Sequence, residues 1–146
     1  TSPLEKSGEN WAIAVMDPAT DDYSTIHAEE TMQAAGLIRS YIMGAVYEKL
    51  VYPDPASEAS VDYQKPLKPL LQKMIASNDS NAANELVTLL GSGDFKTGAA
   101  VVNQFCQDHG FTSTRLEAPL TADSSEKTNS TSASDCFFLK SIIRPL

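Results

Sequence analysis

The sequence predicts an α+β domain in which one short β-hairpin precedes a set of about five helices. Three observations carry that prediction. Residues 11–16 and 23–26 are rich in β-formers and are separated by Asp17-Pro18-Ala19-Thr20-Asp21-Asp22, a cluster of turn formers. From Leu37 onward, apolar residues recur every third or fourth position, the spacing of one helical face. Gly, Pro, Asn, Asp and Ser then interrupt this second region where helix caps are needed.

Each element has its own signal. In residues 37–50, Ile38, Ile42, Val46 and Leu50 recur every fourth position with Tyr41 and Ala45 beside them. Few charges interrupt that run, so the helix is expected to be buried on most sides. Residues 51–64 form a polar connection containing Pro53 and Pro55. Leu67, Leu70, Leu71, Met74 and Ile75 then trace one helical face, and Pro69, tolerated only in a first turn, keeps that helix short. Residues 77–80 supply N-cap candidates for a helix over 82–90, which Gly91 ends. Asp94 caps the next helix, whose core face is Val101, Val102, Phe105 and Cys106. Gly110 followed by Phe111 predicts a glycine C-cap with its hydrophobic contact. Residues 118–130 are polar and predict a surface loop. Ser132, with Asp135 three residues later, predicts a capping box for a last helix containing Cys136, Leu139 and Ile143.

At 146 residues the chain is one domain, long enough to bury a core, since domains of this size bury about 70% of the unfolded chain's surface. Its net charge of −8 and lack of a basic cluster argue against nucleic acid and anionic membrane surfaces as partners. No apolar run approaches the roughly 18 residues of a membrane span, and no secretory leader pattern is visible. Cys106 and Cys136 both fall on apolar helix faces, which favours two buried free thiols over a bridge. His27 ends a strand and His109 ends a helix; both are expected to be structural or surface residues. Neither pairs with the cysteines at metal-ligand spacing, so no metal and no other cofactor is expected.

Four segments carry a further signal. The hairpin is followed by Ala34-Ala-Gly-Leu-Ile-Arg39 at the start of the first helix, by residues 74–84 with Asn78-Asp79-Ser80, by residues 111–116 and by residues 129–135. In that order they resemble the class A β-lactamase and penicillin-binding transpeptidase family (serine DD-peptidase-like), from Trp11 to about Ile143. The family places Ser-x-x-Lys at the helix start, where N–H groups and the helix dipole favour a developing anion and lysine shares the hydroxyl proton one turn later. Here those positions are Gly36 and Arg39. Glycine has no nucleophile, and arginine stays protonated, so it is no base. The family's Ser-Asp-Asn has its outer residues exchanged in Asn78-Asp79-Ser80. Asn78 cannot shuttle a proton, although Asn78 and Ser80 can still hydrogen-bond a ligand, and the triplet is equally good capping chemistry.

The resemblance implies the helical lobe of the β-lactamase/transpeptidase-like fold with an N-terminal hairpin and with the C-terminal sheet strands missing. Residues 1–146 would then be one incomplete domain, with the hairpin at 10–27 and the lobe at 36–143. Lys96-Thr97-Gly98 spells the family's third signature but follows Asp94 in the first turn of a helix, so a helix start with an exposed lysine is expected. Glu117 sits near the family's deacylating glutamate without its surrounding motif and is expected to be a surface carboxylate. Arg115 is expected to anchor its loop through an ion pair. Tyr41, Tyr47, Tyr52 and Tyr63 are expected to be half-buried with wet hydroxyls.

With no catalytic residue at the signature positions, the resemblance implies a non-catalytic domain with a binding or scaffolding role at the cell surface or outside the cell. Its partners would be a cell-wall peptide or protein, or a homo-oligomer or second chain completing the sheet. One alternative is a serine hydrolase fragment of β-lactamase or DD-peptidase type, completed by another chain and using Ser40 or Ser80. Another is a remnant with no activity of its own.

Overall fold

A computed structural model describes residues 8–17, 19–52, 62–121 and 129–143. Strands β1 (Ile13–Met16) and β2 (Tyr23–Ile26) pair antiparallel, with Ile13 opposite Ile26 and Met16 opposite Tyr23. Asp17 shapes the turn between them: its Oδ1 accepts from the Ala19 N–H at 2.8 Å, and its own N–H donates to the Asp22 carbonyl at 2.9 Å. His27 then takes a left-handed conformation (φ 49°), and pairing stops there. The ribbon therefore begins two residues later than the β-rich run, at Ile13, the partner of the last paired residue.

A second ribbon was not foreseen. Strands β3 (Met32–Gln33) and β4 (Ser130–Thr131) pair antiparallel, and Arg115 exchanges both backbone hydrogen bonds with Ser130 at 2.9 and 3.0 Å. The last helix accordingly starts only at Ala133, and residues 129–131 tie the loop to the start of the first helix: the Ala34 N–H donates to the Asn129 carbonyl at 2.8 Å.

The helical region is built around α1 (Ile38–Val46), which extends a 3-10 turn (Ala35–Leu37) and runs on into a π turn (Tyr47–Val51). Ile38, Tyr41, Ile42, Ala45 and Val46 are all fully buried. Gly44 faces the ring of Phe105, and a Cβ there would meet the ring at 2.6 Å. Helices α2 (Lys68–Ala76), α3 (Ser80–Leu90), α4 (Phe95–Asp108) and α5 (Ala133–Ile143) all pack on α1, and α5 also packs on β1.

Several details depart from the periodicity. On α2, Leu67, Leu70, Leu71 and Met74 are buried but Ile75 is 49% exposed. It lies about 80° around the helix from Leu67, beyond the edge of a narrow apolar stripe. Tyr41 is fully buried rather than wet, its hydroxyl bonded to Thr131 Oγ1 at 3.1 Å, whereas Tyr52 is 75% exposed. Cys106 is buried and Cys136 half-buried, and both are free thiols. The side chain of Tyr63, the connection over residues 53–61 with Pro53 and Pro55, the loop over residues 122–128, and the side chain of Ile143 lie outside the described residues.

The caps follow the sequence closely. Asp79 caps α3 from its carboxylate, accepting from Asn81 N–H at 2.8 Å and Ala82 N–H at 3.1 Å, so α3 starts two residues before Ala82. Asp94 caps α4. At the far end Gly110 (φ +80°) donates to Gln107 O and Phe111 to Cys106 O, a paired C-terminal closure that buries the Phe111 side chain. Gly91 and Gly98 let α3 and α4 touch backbone to backbone; a Cβ on Gly98 would collide with the Val87 carbonyl. Only half of the Ser132–Asp135 box forms. Ser132 Oγ accepts from the Asp135 N–H at 3.1 Å, but the Asp135 carboxylate turns inward to Ser113 N–H (3.0 Å) and Thr114 Oγ1 (2.7 Å). The Ser113 amide and the Thr114 hydroxyl together take that carboxylate, which therefore does not reach back to the Ser132 amide.

Candidate functional site

The helix start at Gly36, the α2–α3 turn and the loop ending at Thr121 converge on one place. Ala34 is fully buried, and Ala35 beside it is held left-handed (φ 44°), a conformation costing an alanine about 1 kcal/mol. That kink sets Gly36 at the exposed opening of the helix. The first N–H groups of such a helix have no acceptor within it. Asn78 forms the opposing turn, also left-handed (φ 54°), which asparagine tolerates better than most residues.

Arg39 lies one turn after Gly36, only 8% exposed. Its Nη2 donates to the Asn78 carbonyl at 3.2 Å and to Ser80 Oγ at 2.9 Å. Ser80 Oγ in turn donates to the Thr121 carbonyl at 3.2 Å. A Cβ built on Gly36 would stand 3.2 Å from Arg39 Nη1 and 3.7 Å from Asn78 Oδ1. The guanidinium therefore borders the space where a side chain at position 36 would begin. Arg39 Nε is buried without any hydrogen-bond partner, and Arg39 makes no ion pair among the described residues. Burial pulls its pKa below the usual arginine value, opposed by the charge of Asp79. It remains a cation at physiological pH.

Gly36, Arg39, Asn78 and Ser80 thus meet, with Asp79 serving as the helix cap. The set offers one cation, a hydroxyl and an amide as hydrogen-bonding groups. Ser80 is held between a cation and a carbonyl with no basic group on its hydroxyl, and Arg39 cannot accept a proton. The other sequence candidates stand apart from it. Thr97 bonds Asp94 Oδ2 through N–H (2.7 Å) and Oγ1 (2.6 Å), Gly98 packs on Val87, and Lys96 is exposed, as a plain helix start requires. Glu117 is a surface carboxylate paired with Arg115 at 3.0 Å, and both are more than half exposed. Such a pair contributes little, so Arg115 does not anchor its loop by charge.

Three asparagines anchor it instead. Asn84 bonds both backbone groups of Leu120 (2.8 and 2.9 Å), Asn103 both of Leu116 (2.7 and 3.0 Å), and Asn129 the N–H groups of Glu117 and Ala118 (2.8 and 3.1 Å). The sequence reading missed these roles. Their signal was present: asparagine is a poor helix former, and Asn84 and Asn103 stand in the middle of helices, half-buried.

A helical lobe under a short hairpin is the part of the fold that known proteins match. Residues 53–143 match the Beta-lactamase enzyme family, and the chain belongs to that family. Solved structures agree in fold. A variant of the reconstructed last common ancestor of Gram-negative class A beta-lactamases, bound to the transition-state analogue 5(6)-nitrobenzotriazole, is 22% identical with a TM-score of 0.66; the match covers 95% of this chain and 59% of that one. A beta-lactamase from Burkholderia ambifaria is 20% identical with a TM-score of 0.62, over 94% and 59% of the two chains. An ancestral class A beta-lactamase is 20% identical with a TM-score of 0.60, over 90% and 56%. The chain therefore spans somewhat under three-fifths of the length of these structures. No curated protein matches it in sequence. No helix among the described residues is long and apolar enough to cross a membrane, and no three His, Cys, Asp or Glu residues among them form a group that could hold a metal.

Proposed function

We propose that this chain is a non-catalytic member of the β-lactamase family whose signature site binds a ligand instead of reacting with it, in a binding or scaffolding role at the cell surface. The observation that carries this reading is the Gly36–Arg39 pair. The nucleophile position has no side chain, and the guanidinium one turn on stands 3.2 Å from where one would start. The two replacements fit each other sterically, a small residue making room for a larger cation. Ser80 does not substitute as nucleophile, because its proton is directed at the Thr121 carbonyl and its oxygen accepts from Arg39.

Incubation with a penicillin followed by intact-mass measurement tests the reading; no stoichiometric adduct is expected, and a covalent adduct would overturn it. Gly36→Ser with Arg39→Lys is also expected to stay inactive toward a chromogenic cephalosporin, since Asn78 and Ser80 remain exchanged and groups that act as a unit do not return piecemeal. Turnover well above buffer by that double variant would mean that the two replacements alone silence the site.

A further inference from the structure

We propose that Arg39 and the Gly36 amide form a binding site for a small monoanionic carboxylate, an assignment that rests on the non-catalytic reading above. An arginine side chain only 8% exposed commonly meets a carboxylate, because withdrawing an ion from water is costly unless another charge and further hydrogen bonds offset it. Arg39 meets none among the described residues. Its Nη2 is used by a carbonyl and a hydroxyl, both neutral. Its Nε is buried and unpartnered, and its Nη1 points at the space over Gly36 with no acceptor among the described residues.

The surroundings favour an anion at that spot. Gly36 is exposed in the first turn of the helix that runs on through α1, where the helix dipole attracts negative charge; the next amide, Leu37 N–H, is already bonded to the Ala34 carbonyl at 2.9 Å, which leaves the Gly36 amide as the one facing this space. The absent side chain at Gly36 leaves backbone open to close approach. Asn78 lines the opposite side, and its amide turns about its last torsion to present either oxygen or nitrogen. The charge balance selects the class. One cation with Asp79 close enough to act on it suits one negative charge better than two, and the planar guanidinium matches a carboxylate.

The test is a titration of the whole isotopically labelled chain, reading the Arg39 Nε–H and Gly36 N–H resonances by NMR. The probes are N-acetylglycine, its neutral amide N-acetylglycinamide, and inorganic phosphate. Saturable shifts of both resonances with N-acetylglycine are expected, with affinity weaker by about tenfold or more for the amide and for phosphate. Arg39→Gln is expected to weaken N-acetylglycine by a similar factor. Gly36→Ala, which keeps the cation but fills its foreground, is expected to do the same and remains informative if the arginine variant fails to fold. Absence of saturable shifts, equal response to the amide, tighter binding of phosphate, or unchanged affinity in Gly36→Ala would each overturn the proposal. A failed titration with no penicillin adduct overturns this assignment alone; an adduct overturns the non-catalytic reading as well.

Discussion

Arg39 and Asp135 are the two charged side chains buried among the described residues, at 8% and 6% exposure, and their surroundings are opposite in kind. Asp135 is enclosed by donors. Its Oδ2 accepts from the Ser113 N–H and from Thr114 Oγ1, Thr114 accepts from Thr131, and Thr131 from Tyr41, at 3.0, 2.7, 2.8 and 3.1 Å. Since Thr114 gives its proton to the carboxylate, Thr131 must give its own to Thr114, and the Tyr41 hydroxyl at the outer end lies within reach of both Thr131 Oγ1 and Cys136 Sγ (3.6 Å). This chain of hydrogen bonds joins α5, β4, the loop at Thr114 and α1 into one unit. Arg39, by contrast, has two neutral acceptors, one orphaned nitrogen and another nitrogen facing an exposed glycine. A buried charge whose partners all belong to the fold holds the fold together. One whose hydrogen-bond partners are all neutral and incomplete is a liability to the fold, and such liabilities collect at sites that bind something.

Breaking the Asp135 side of this comparison is expected to have the largest effect. Asp135→Ala strands the Ser113 amide and the Thr114 hydroxyl and removes the charge that orients Thr131. A loss of about 3 kcal/mol is expected in urea unfolding. A loss under about 1 kcal/mol would mean that water replaces the carboxylate and that the network is no keystone. Thr131→Val removes a single link while keeping the shape, and is expected to cost about 1–2 kcal/mol by the same measurement.

Arg39→Met is the sharpest test, because the sign is expected to reverse. Replacing a poorly compensated buried ion by an apolar side chain of similar length is neutral or stabilising, here by about 1 kcal/mol. A loss as large as that of Asp135→Ala would show Arg39 to be a structural ion, with its role in the fold rather than at the site.

How much of this was legible beforehand differs between the two regions. Gly36, Arg39, Asn78, Asp79 and Ser80 were all picked out by sequence, because the helix start and the capped turn are local patterns and the resemblance aligned them. Their convergence needs two connections to fold back, which no local pattern reports. The Asp135 network was misread as a helix cap. Ser132 and Asp135 do have cap spacing, and the competing donors, Ser113 and Thr114, arrive from about twenty residues away in sequence. Ribbon β3–β4 was invisible for another reason: strands of two residues have no alternation to detect. Ile75 failed more simply, since apolar spacing alone cannot say how wide the buried stripe is.

The smallest expected effect links the enclosed region to pH. Cys106 is buried in the core, and burial, helped by the negative charge of Asp135, pushes its thiol up to about 12 from an ordinary 9.0. Between those values the unfolded chain gives up a proton that the folded chain keeps, so alkali favours unfolding. The contribution of Cys106 is therefore fully present below pH 9 and is lost progressively as pH rises toward about 12. Other groups titrate in the same window, so the informative quantity is a difference between variants. Cys106→Ala is expected to flatten the alkaline fall of the urea midpoint relative to the parent chain, whatever it costs at neutral pH. Asp135→Asn, which removes the secondary electrostatic cause and leaves the thiol buried, is expected to flatten it slightly. Arg39→Met is expected to leave the slope unchanged, because Arg39 contributes nothing to the Cys106 shift. An equal change of slope in Arg39→Met and Asp135→Asn would mean that the two buried charges act on the core as one electrostatic system, and the separation drawn between them would fail.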